Sequence, residues 1–181
     1  MRKAKALHSD KGFTVMETLI AIVVLSVGIL GLGAMLGDAC EYMEGSQNDY
    51  IAQQKAEEAV EAIFTAKYTD TITFAQIANT NANPPGIFLT GAQPILQPGP
   101  DGLVGTTADV GALPAYIINP GPDGLMGTAD DIKVSLSNFK RTITIAPTGD
   151  PNLSSVTVTI NYTSGRFQRS YTMNTFVSAF N

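Results

Sequence analysis

The chain has 181 residues, of which 44% are apolar and 15% are charged, so it can form a packed domain and is not a disordered chain. The formal net charge is −5, but residues 1–12 carry +3 and leave −8 for the remainder. This acidic remainder argues against nucleic acid as a partner, because proteins neutralise phosphates mainly with Lys and Arg.

Cysteine and histidine are almost absent from the sequence. Cys40 is the single cysteine, which excludes an intrachain disulfide, and we assign it no role. His8 is the single histidine, so removal of the basic N-terminus would also remove the commonest general base. We therefore expect the chain not to be an enzyme; a membrane-tethered enzyme is an alternative that no nucleophile elbow or phosphate loop supports.

An uncharged run of twenty residues, Thr18 to Gly37, follows the basic start. At about 1.5 Å per residue, a helix of this length spans the hydrocarbon core of a bilayer, which is roughly 30 Å thick. Basic residues precede the run and acidic residues follow it, with no Lys or Arg before Lys55. The positive-inside rule then predicts a cytoplasmic N-terminus and an exported remainder.

An ordinary secretory signal is the alternative interpretation of the same segment. Such a signal has a shorter apolar core, of about 7–15 residues, and a cleavage site flanked by small residues. Residues 34–39 offer a poor candidate for that cleavage, and Glu17 stands at the beginning of the apolar run.

The residues Gly12-Phe13-Thr14-Val15-Met16-Glu17, between the basic leader and the apolar run, resemble the processing signature of type IV prepilins and pseudopilins. The resemblance implies a leader of residues 1–12 that a prepilin peptidase removes between Gly12 and Phe13. It implies that the same enzyme methylates the new N-terminal amine of Phe13. It also implies that Glu17 is needed for assembly with other pilin subunits.

The position of Glu17 fits that implication. A carboxylate near hydrocarbon costs about 2.5–3.5 kcal/mol on insertion scales. Cleavage before Phe13 would create a cationic α-amine with an ordinary pKa of about 8, which can pair with Glu17 of a neighbouring subunit. In the alternative interpretation, Glu17 is solvated at the level of the lipid headgroups.

The apolar run is expected to continue as one long helix. We predict a transmembrane and assembly segment over residues 13–37 and an amphipathic continuation over residues 38–68. The first segment has four glycines and has Ala34 where major pilins usually have proline, so it is most similar to PilV-like minor pilins. The apolar stripe of the second segment is predicted to pack on a sheet; its members are Ala52, Ala56, Ala59, Val60, Ile63 and Phe64.

An internal repeat lies within residues 98–131. Residues 98–106 recur at residues 120–128, with the sequence Pro-Gly-Pro-Asp-Gly-Leu-X-Gly-Thr, and each copy is followed by acidic residues. Pro-Asp-Gly favours tight turns, so one interpretation is a pair of similar β-turns.

Calcium binding is the second interpretation of the repeat, because Ca²⁺ takes several oxygen ligands from acidic loops that contain a sharp glycine turn. Some pseudopilins bind calcium in a loop before their final strands, so the resemblance adds to this interpretation. The two copies can bind one ion each or share one. The candidate ligands are Asp123, Thr128, Asp130 and Asp131 in the favoured second copy, and Asp101, Thr106 and Asp109 in the first.

The C-terminal part of the sequence favours strands. Residues 139–145, 156–162 and 166–177 are rich in β-formers, and a turn is expected at residues 163–165. We predict a globular head over residues 69–181 that begins with loops and ends in an antiparallel sheet within residues 138–180. The fold class is α+β: a pilin fold in which a long N-terminal helix, with a hydrophobic first half, packs on this sheet.

The function expected from these features is that of a structural, minor subunit of a type IV pilus. The subunit would reside in the inner membrane, interact with the prepilin peptidase and the inner-membrane assembly platform, and then join a cell-surface filament. A pseudopilin of a type II secretion system, in a periplasmic pseudopilus, is the nearest alternative. A membrane-anchored, calcium-dependent adhesion or binding module is the alternative from another class.

Overall fold

A computed structural model of the chain describes residues 12–109, 111 and 113–180. The predicted leader, apart from Gly12, therefore lies outside the described residues. The chain divides into two compact units, residues 1–43 and residues 44–181. The helices and strands, in chain order, are α1 (Val15–Tyr68), two short 3₁₀ turns (Phe74–Gln76 and Thr107–Asp109), β1 (Gln93–Pro94), β2 (Tyr116–Asn119), β3 (Ile132–Ser135), β4 (Phe139–Pro147), β5 (Leu153–Ser164) and β6 (Phe167–Ser178).

The first unit contains the apolar beginning of α1. Its most apolar stretch has a mean hydropathy of 2.7 and none of it is buried within the chain. By length and composition, the helix can cross a membrane. Large apolar side chains from Phe13 to Leu36 are 55–82% exposed, so this unit has a hydrophobic surface that the described part of its own chain does not cover.

In the second unit, α1 packs on the sheet through a stripe of small side chains. Ala52, Ala56 and Ala59 are fully buried, and Ile63 is 1% exposed. Alanine lets the helix backbone approach the sheet closely, as expected from close packing. Phe64 was predicted in this stripe, and that prediction is wrong: its side chain is 39% exposed, because the buried stripe continues from Ile63 to Ala66 and passes Phe64 by.

The main sheet has four antiparallel strands in the order β1-β4-β5-β6. On β5 the inward side chains Val156, Val158 and Ile160 are fully buried, whereas the alternating threonines are partly exposed. This alternation buries one face and leaves a polar face outside. The predicted fold class, a long N-terminal helix packed on an antiparallel sheet, is thus confirmed.

Strands β2 and β3 form a separate two-stranded sheet. The second copy of the repeat is the loop that joins them, so this copy is the end of a hairpin. The first copy lies between β1 and β2 and ends in the 3₁₀ turn Thr107–Asp109. Leu103 and Val104 of this first copy are each 1% exposed, so the first loop is part of the core.

At the edge of the sheet, the side chain of Asn79 makes hydrogen bonds to β4 that a neighbouring strand would otherwise make. β1 pairs with only two residues of β4, which leaves backbone groups of β4 without a neighbouring strand beyond that point. Nδ2 of the Asn79 side chain donates to the backbone carbonyl oxygen of Ile143 at 2.8 Å. Oδ1 of the same side chain accepts from the backbone amide of Ile145, also at 2.8 Å. The side chain is 6% exposed, so these bonds satisfy buried backbone groups.

A polar cluster joins α1 to strands β5 and β6. The Asp49 carboxylate accepts hydrogen bonds from the Tyr162 hydroxyl and from Nη1 of Arg169, the latter at 3.1 and 3.2 Å. Gly45 is buried beside this cluster; a Cβ there would lie 3.4 Å from the Arg169 guanidinium. Burial and the Asp49 carboxylate raise the pKa of Tyr162 to about 12.

Replacement of Asn79 by alanine should lower the free energy of unfolding by about 1–3 kcal/mol, because one buried and one partly buried backbone group lose their partners. Denaturant unfolding of the full chain in detergent, followed by circular dichroism, measures this loss. Asn81→Ala is the matched control, since Asn81 is exposed in the same loop. Equal stability of the two variants would contradict the role given to Asn79.

The Tyr162 cluster predicts a loss of stability at alkaline pH. Between about pH 10 and pH 12 the unfolded chain releases the phenolic proton before the folded chain does, so the contribution of Tyr162 falls as the pH rises through this window. Tyr162→Phe should remove that part of the pH dependence. Tyr50→Phe, at an exposed residue beside the same cluster, should leave it unchanged.

Candidate functional site

The helix that follows the predicted cleavage site begins with a side-chain cap. The Thr14 hydroxyl accepts from the backbone amide of Glu17 at 3.2 Å, and the Thr14 carbonyl accepts from the amides of Glu17 and Thr18. Threonine is a favoured N-cap, because its oxygen satisfies an amide that has no partner within the helix. Glu17 consequently lies in the first turn of α1, where a negative charge interacts favourably with the helix dipole.

Gly12 and Phe13 precede this helix in non-helical conformation, and Phe13 is 82% exposed. Both residues are thus exposed within the described part of the chain. The predicted processing residues Gly12 and Phe13 and the predicted assembly residue Glu17 lie within a single short segment. The backbone amide of Glu17 donates the hydrogen bonds to Thr14, so these bonds do not involve the Glu17 carboxylate.

The other polar side chains of the apolar segment are satisfied within the helix. The hydroxyls of Thr18 and Ser26 donate to the carbonyl oxygens of Val15 and Ile22 at 2.8 and 2.7 Å. Such internal bonds reduce the cost of a hydroxyl in hydrocarbon. Glu17, in contrast, has a charged carboxylate in the same segment, and a charge costs more in hydrocarbon than a hydroxyl that is bonded within the helix.

The four glycines of the apolar segment have no steric role within the described chain. A Cβ added at Gly28, Gly31, Gly33 or Gly37 would meet no described atom within 4 Å, leaving aside its chain neighbours and the nearby helix backbone. Glycine in a helix interior costs about 1 kcal/mol relative to alanine. In membrane helices, small residues allow neighbouring helices to approach closely. At about 3.6 residues per turn, Gly28 and Gly31 lie on one side of α1 and Gly33 and Gly37 on roughly the opposite side, so the glycines leave room for a neighbouring helix on either side.

The first repeat loop is ordered by hydrogen bonds that its own carboxylates accept. Asp101 accepts from the amide of Leu103 and from the Thr106 hydroxyl, at 3.1 and 2.8 Å. Asp109, 4% exposed, accepts from the amides of Gly99 at 2.9 Å, Thr106 at 3.2 Å and Gly105. Every carboxylate oxygen in this loop thus has at least one donor.

The buried Arg141 is influenced by two carboxylates, those of Glu58 and Asp109. Arg141 is 3% exposed, and no described residue accepts a hydrogen bond from its Nη1. Burial lowers the pKa of Arg141, while the charges of Glu58 and Asp109 oppose this change. Asp109 thus orders the loop through its hydrogen bonds, and its charge, after that of Glu58, favours the charged form of Arg141.

The second repeat loop repeats part of this arrangement at the surface. Asp123 accepts from the amide of Leu125 at 2.8 Å, and Asp131 accepts from the amide of Gly127 at 2.7 Å. Asp130, whose counterpart in the first copy is Ala108, accepts from the Thr128 hydroxyl at 2.6 Å. This bond and the amide of Asp123 lower the pKa of Asp130.

The fit of a calcium ion differs between the two loops. In the first loop, each carboxylate oxygen already accepts a hydrogen bond, and the side chains of Thr106 and Asp109 are buried. In the second, Oδ1 of Asp131 is buried and has no hydrogen-bond partner among the described residues. Within the described part of the chain, no group of three His, Cys, Asp or Glu side chains is arranged to hold a metal ion. A calcium ion in the second loop would thus require its carboxylates to move closer together.

The structure also contains polar interactions that the sequence did not predict. The Asp49–Tyr162–Arg169 cluster joins residues more than 110 positions apart, and no local motif marks them. Asn79 bonds to β4 from a loop that contains several asparagines, and the sequence does not show which of them is buried. Cys40, to which no role was assigned, is exposed on α1.

Asp109→Asn should lower the free energy of unfolding by about 1–3 kcal/mol, because one carboxylate oxygen becomes an amide donor that faces backbone amides. Asp131→Asn, at the equivalent position of the exposed copy, should change it by less than about 1 kcal/mol. Denaturant unfolding of both variants tests this difference. A larger effect at Asp131 than at Asp109 would contradict the account of the two loops.

Comparison with known proteins identifies the N-terminal segment. The family model described as the prokaryotic N-terminal methylation motif matches residues 7–33. No curated protein and no solved structure matches the chain in the corresponding comparisons. The matched segment contains Gly12, Phe13, Glu17 and three of the four glycines of the apolar run. The chain thus carries a prokaryotic N-terminal methylation motif, followed by an α+β, pilin-like architecture in which one long helix packs on an antiparallel sheet.

Proposed function

We propose that this chain is a structural subunit of a type IV pilus, of the minor-pilin class, which is processed after Gly12, methylated on Phe13 and assembled through α1. The observation that carries the proposal is the methylation motif at residues 7–33, directly before and within an apolar helix that the described part of the chain leaves uncovered. The proposed role is not enzymatic.

The chemistry of the first helical turn supports assembly through Glu17. Cleavage before Phe13 gives a cationic amine close in sequence to the Glu17 carboxylate. In a bundle of such helices, an amine of one subunit next to Glu17 of another neutralises both charges in a medium of low dielectric constant. A subunit in the wrong register would leave one charge unpaired, so the pair favours correct assembly.

The glycines support close packing of the same helices. They face open space in the isolated chain, so their small size is of use only where a second helix or a bend of α1 is present. In this proposal, the methylated N-terminus, Glu17 and the glycines act together in the filament core. Before assembly, the chain would span the inner membrane with its N-terminus in the cytoplasm, where the prepilin peptidase and the assembly platform reach it.

There are two alternative functions. In the first the chain belongs to a different filament, and in the second its head acts as a binding module. A type II secretion pseudopilin has the same processing and helix, and the genes beside this one would distinguish the two systems. An adhesion module would use the motif only as an anchor. Deletion of the gene would then abolish adhesion while filaments remain intact.

Glu17→Gln should leave cleavage and membrane insertion intact but reduce incorporation into sheared filaments at least tenfold, because the neighbouring amine loses its charged partner. Immunoblots of membrane and filament fractions measure the ratio. Ser26→Ala is the control, since its hydroxyl bonds within the helix, and it should incorporate normally. Normal incorporation of Glu17→Gln would contradict the charge-pairing proposal.

We further propose that the second repeat loop binds Ca²⁺. The specific observation is the buried Oδ1 of Asp131, which has no donor among the described residues and lies in a loop that also contains Asp123 and Asp130. Carboxylate, carbonyl and hydroxyl oxygens are the ligands that Ca²⁺ prefers. The candidate ligands are Asp123, Thr128, Asp130 and Asp131, because in the first loop Asp101, Thr106 and Asp109 satisfy one another and nearby amides.

Calcium at millimolar concentration should raise the Tm of the full chain in detergent, whereas magnesium should not, since Mg²⁺ requires a stricter octahedral geometry. Asp131→Asn should abolish the increase, and Asp101→Asn should retain it. The absence of any calcium effect, or its persistence in Asp131→Asn, would contradict a site in the second loop.

A further inference from the structure

The positive charge of the head is concentrated in its C-terminal strands. Residues 132–181 contain five Lys and Arg and one Asp, a net charge of +4, whereas residues 13–131 carry −12. The basic part of the chain contains strands β3 to β6. A charge asymmetry of this kind between two parts of one chain indicates that the basic part has an anionic partner.

An open groove of about 580 Å³ lies at the end of the main sheet where β4 and β6 begin and β5 ends. Its walls contain two cations and three carboxamides, and none of the described residues that line it is acidic. The volume is within the range of ligand sites, and convergent polar groups of this kind give such sites their specificity. We call these five residues the amide groove: Lys140, Arg169, Asn138, Asn161 and Gln168.

The strand register sets the spacing of the polar groups in the amide groove. Lys140 of β4 lies opposite Asn161 of β5, which lies opposite Ser170 of β6. Neighbouring strands are about 4.8 Å apart, so this polar row extends for about 10 Å on one face of the sheet. Nδ2 of Asn138 donates to the backbone carbonyl oxygen of Thr163 at 3.3 Å, which orients Asn138 beside the row. The groups are thus preorganised, which reduces the entropy cost of binding a ligand.

The two cations of the amide groove differ in their availability to a ligand. Nη1 of Arg169 lies 3.1 Å from Oδ2 of Asp49, which offsets the charge of the guanidinium. Lys140 is exposed, and within the described part of the chain its Nζ has neither a hydrogen bond nor an ion pair. The carboxamides of Asn161 and Gln168 are exposed beside it. Lys140 therefore supplies the positive charge that a ligand can reach.

We propose that the amide groove binds an acidic polysaccharide, with a uronate carboxylate at Lys140 and sugar hydroxyls at the carboxamides of Asn161 and Gln168. A carboxamide both donates and accepts hydrogen bonds, as a sugar hydroxyl requires. A lysine is a compact point charge, which suits a single carboxylate between uncharged hydroxyls. The proposal goes beyond the filament function, because it concerns a ligand of the head.

Nucleic acid, another anionic polymer, fits the amide groove less well. Proteins bind a nucleic acid strand through a track of cations along its phosphates and through exposed aromatic faces on which the bases stack. The groove has one available lysine, and the side chain of Tyr162, which also lines it, is only 5% exposed. The groove therefore favours an anion whose charges are separated by hydroxyl groups.

Titration of the full chain in detergent with oligogalacturonate, followed by calorimetry, tests this site. Calcium is chelated throughout, so that no ion joins the ligand to the acidic loops. Lys140→Gln should weaken binding at least about tenfold, because the uronate loses its charged partner. Asn161→Ala should weaken it about threefold or more, because the sugar hydroxyls lose a hydrogen-bonding group. A neutral oligosaccharide of dextran should not bind.

Each variant has a matched control outside the amide groove. Lys133→Gln removes the same charge from β3, where Lys133 lies over the ring of Tyr116, and Asn174→Ala removes a carboxamide that is exposed on β6. Both controls should bind as the unchanged chain does.

Three results would overturn the proposed site: no binding of oligogalacturonate, an equal loss in Lys140→Gln and Lys133→Gln, or tighter binding of single-stranded DNA of equal charge. Each of them leaves the filament function standing, since that function is measured separately by the presence of the processed chain in sheared filaments. Lys140→Gln should enter filaments normally.

Discussion

A single helix supplies apolar surface to two different environments, and the rest of the structure depends on this division. Between Ala52 and Ala66, small side chains bury α1 against the sheet of its own head. Between Val15 and Leu36, apolar side chains have no cover within the described chain. Hydrophobic surface of this extent has to be covered by lipid or by other subunits. The methylation motif at the start of the helix and the glycines within it are consistent with a helix that is covered first by lipid and later by other subunits.

The two copies of the repeat show how one loop sequence is used inside and outside the core. In the first copy, Leu103 and Val104 are buried and Asp109 orders the backbone from within. In the second, the equivalent Leu125 and Met126 are exposed at the end of a hairpin. The local bonds of the two loops are similar, so the difference arises from what each copy packs against. The exposed copy is therefore the one available for an ion.

Much of the fold could be predicted because its signals are local. Alternating β-formers marked β4, β5 and β6, and the long apolar run with its amphipathic continuation marked α1. The Asp49–Arg169 contact, the substitution of Asn79 for a strand and the exposure of Phe64 could not be predicted, because each depends on partners brought together by the tertiary fold. At the N-terminus, the roles of Gly12, Phe13 and Glu17 stay predictions; the segment that contains them matches the methylation motif, which is visible in the sequence because it is linear.

The proposed filament role depends on processing after Gly12. Intact mass and N-terminal peptide mapping of the protein purified from its own cells test it directly. The account predicts a mature chain that begins with N-methylated Phe13. A chain that begins near Asp38 or Ala39 would instead indicate removal of a secretory signal and loss of the helix surface used for assembly, and an uncut chain would likewise contradict the filament role.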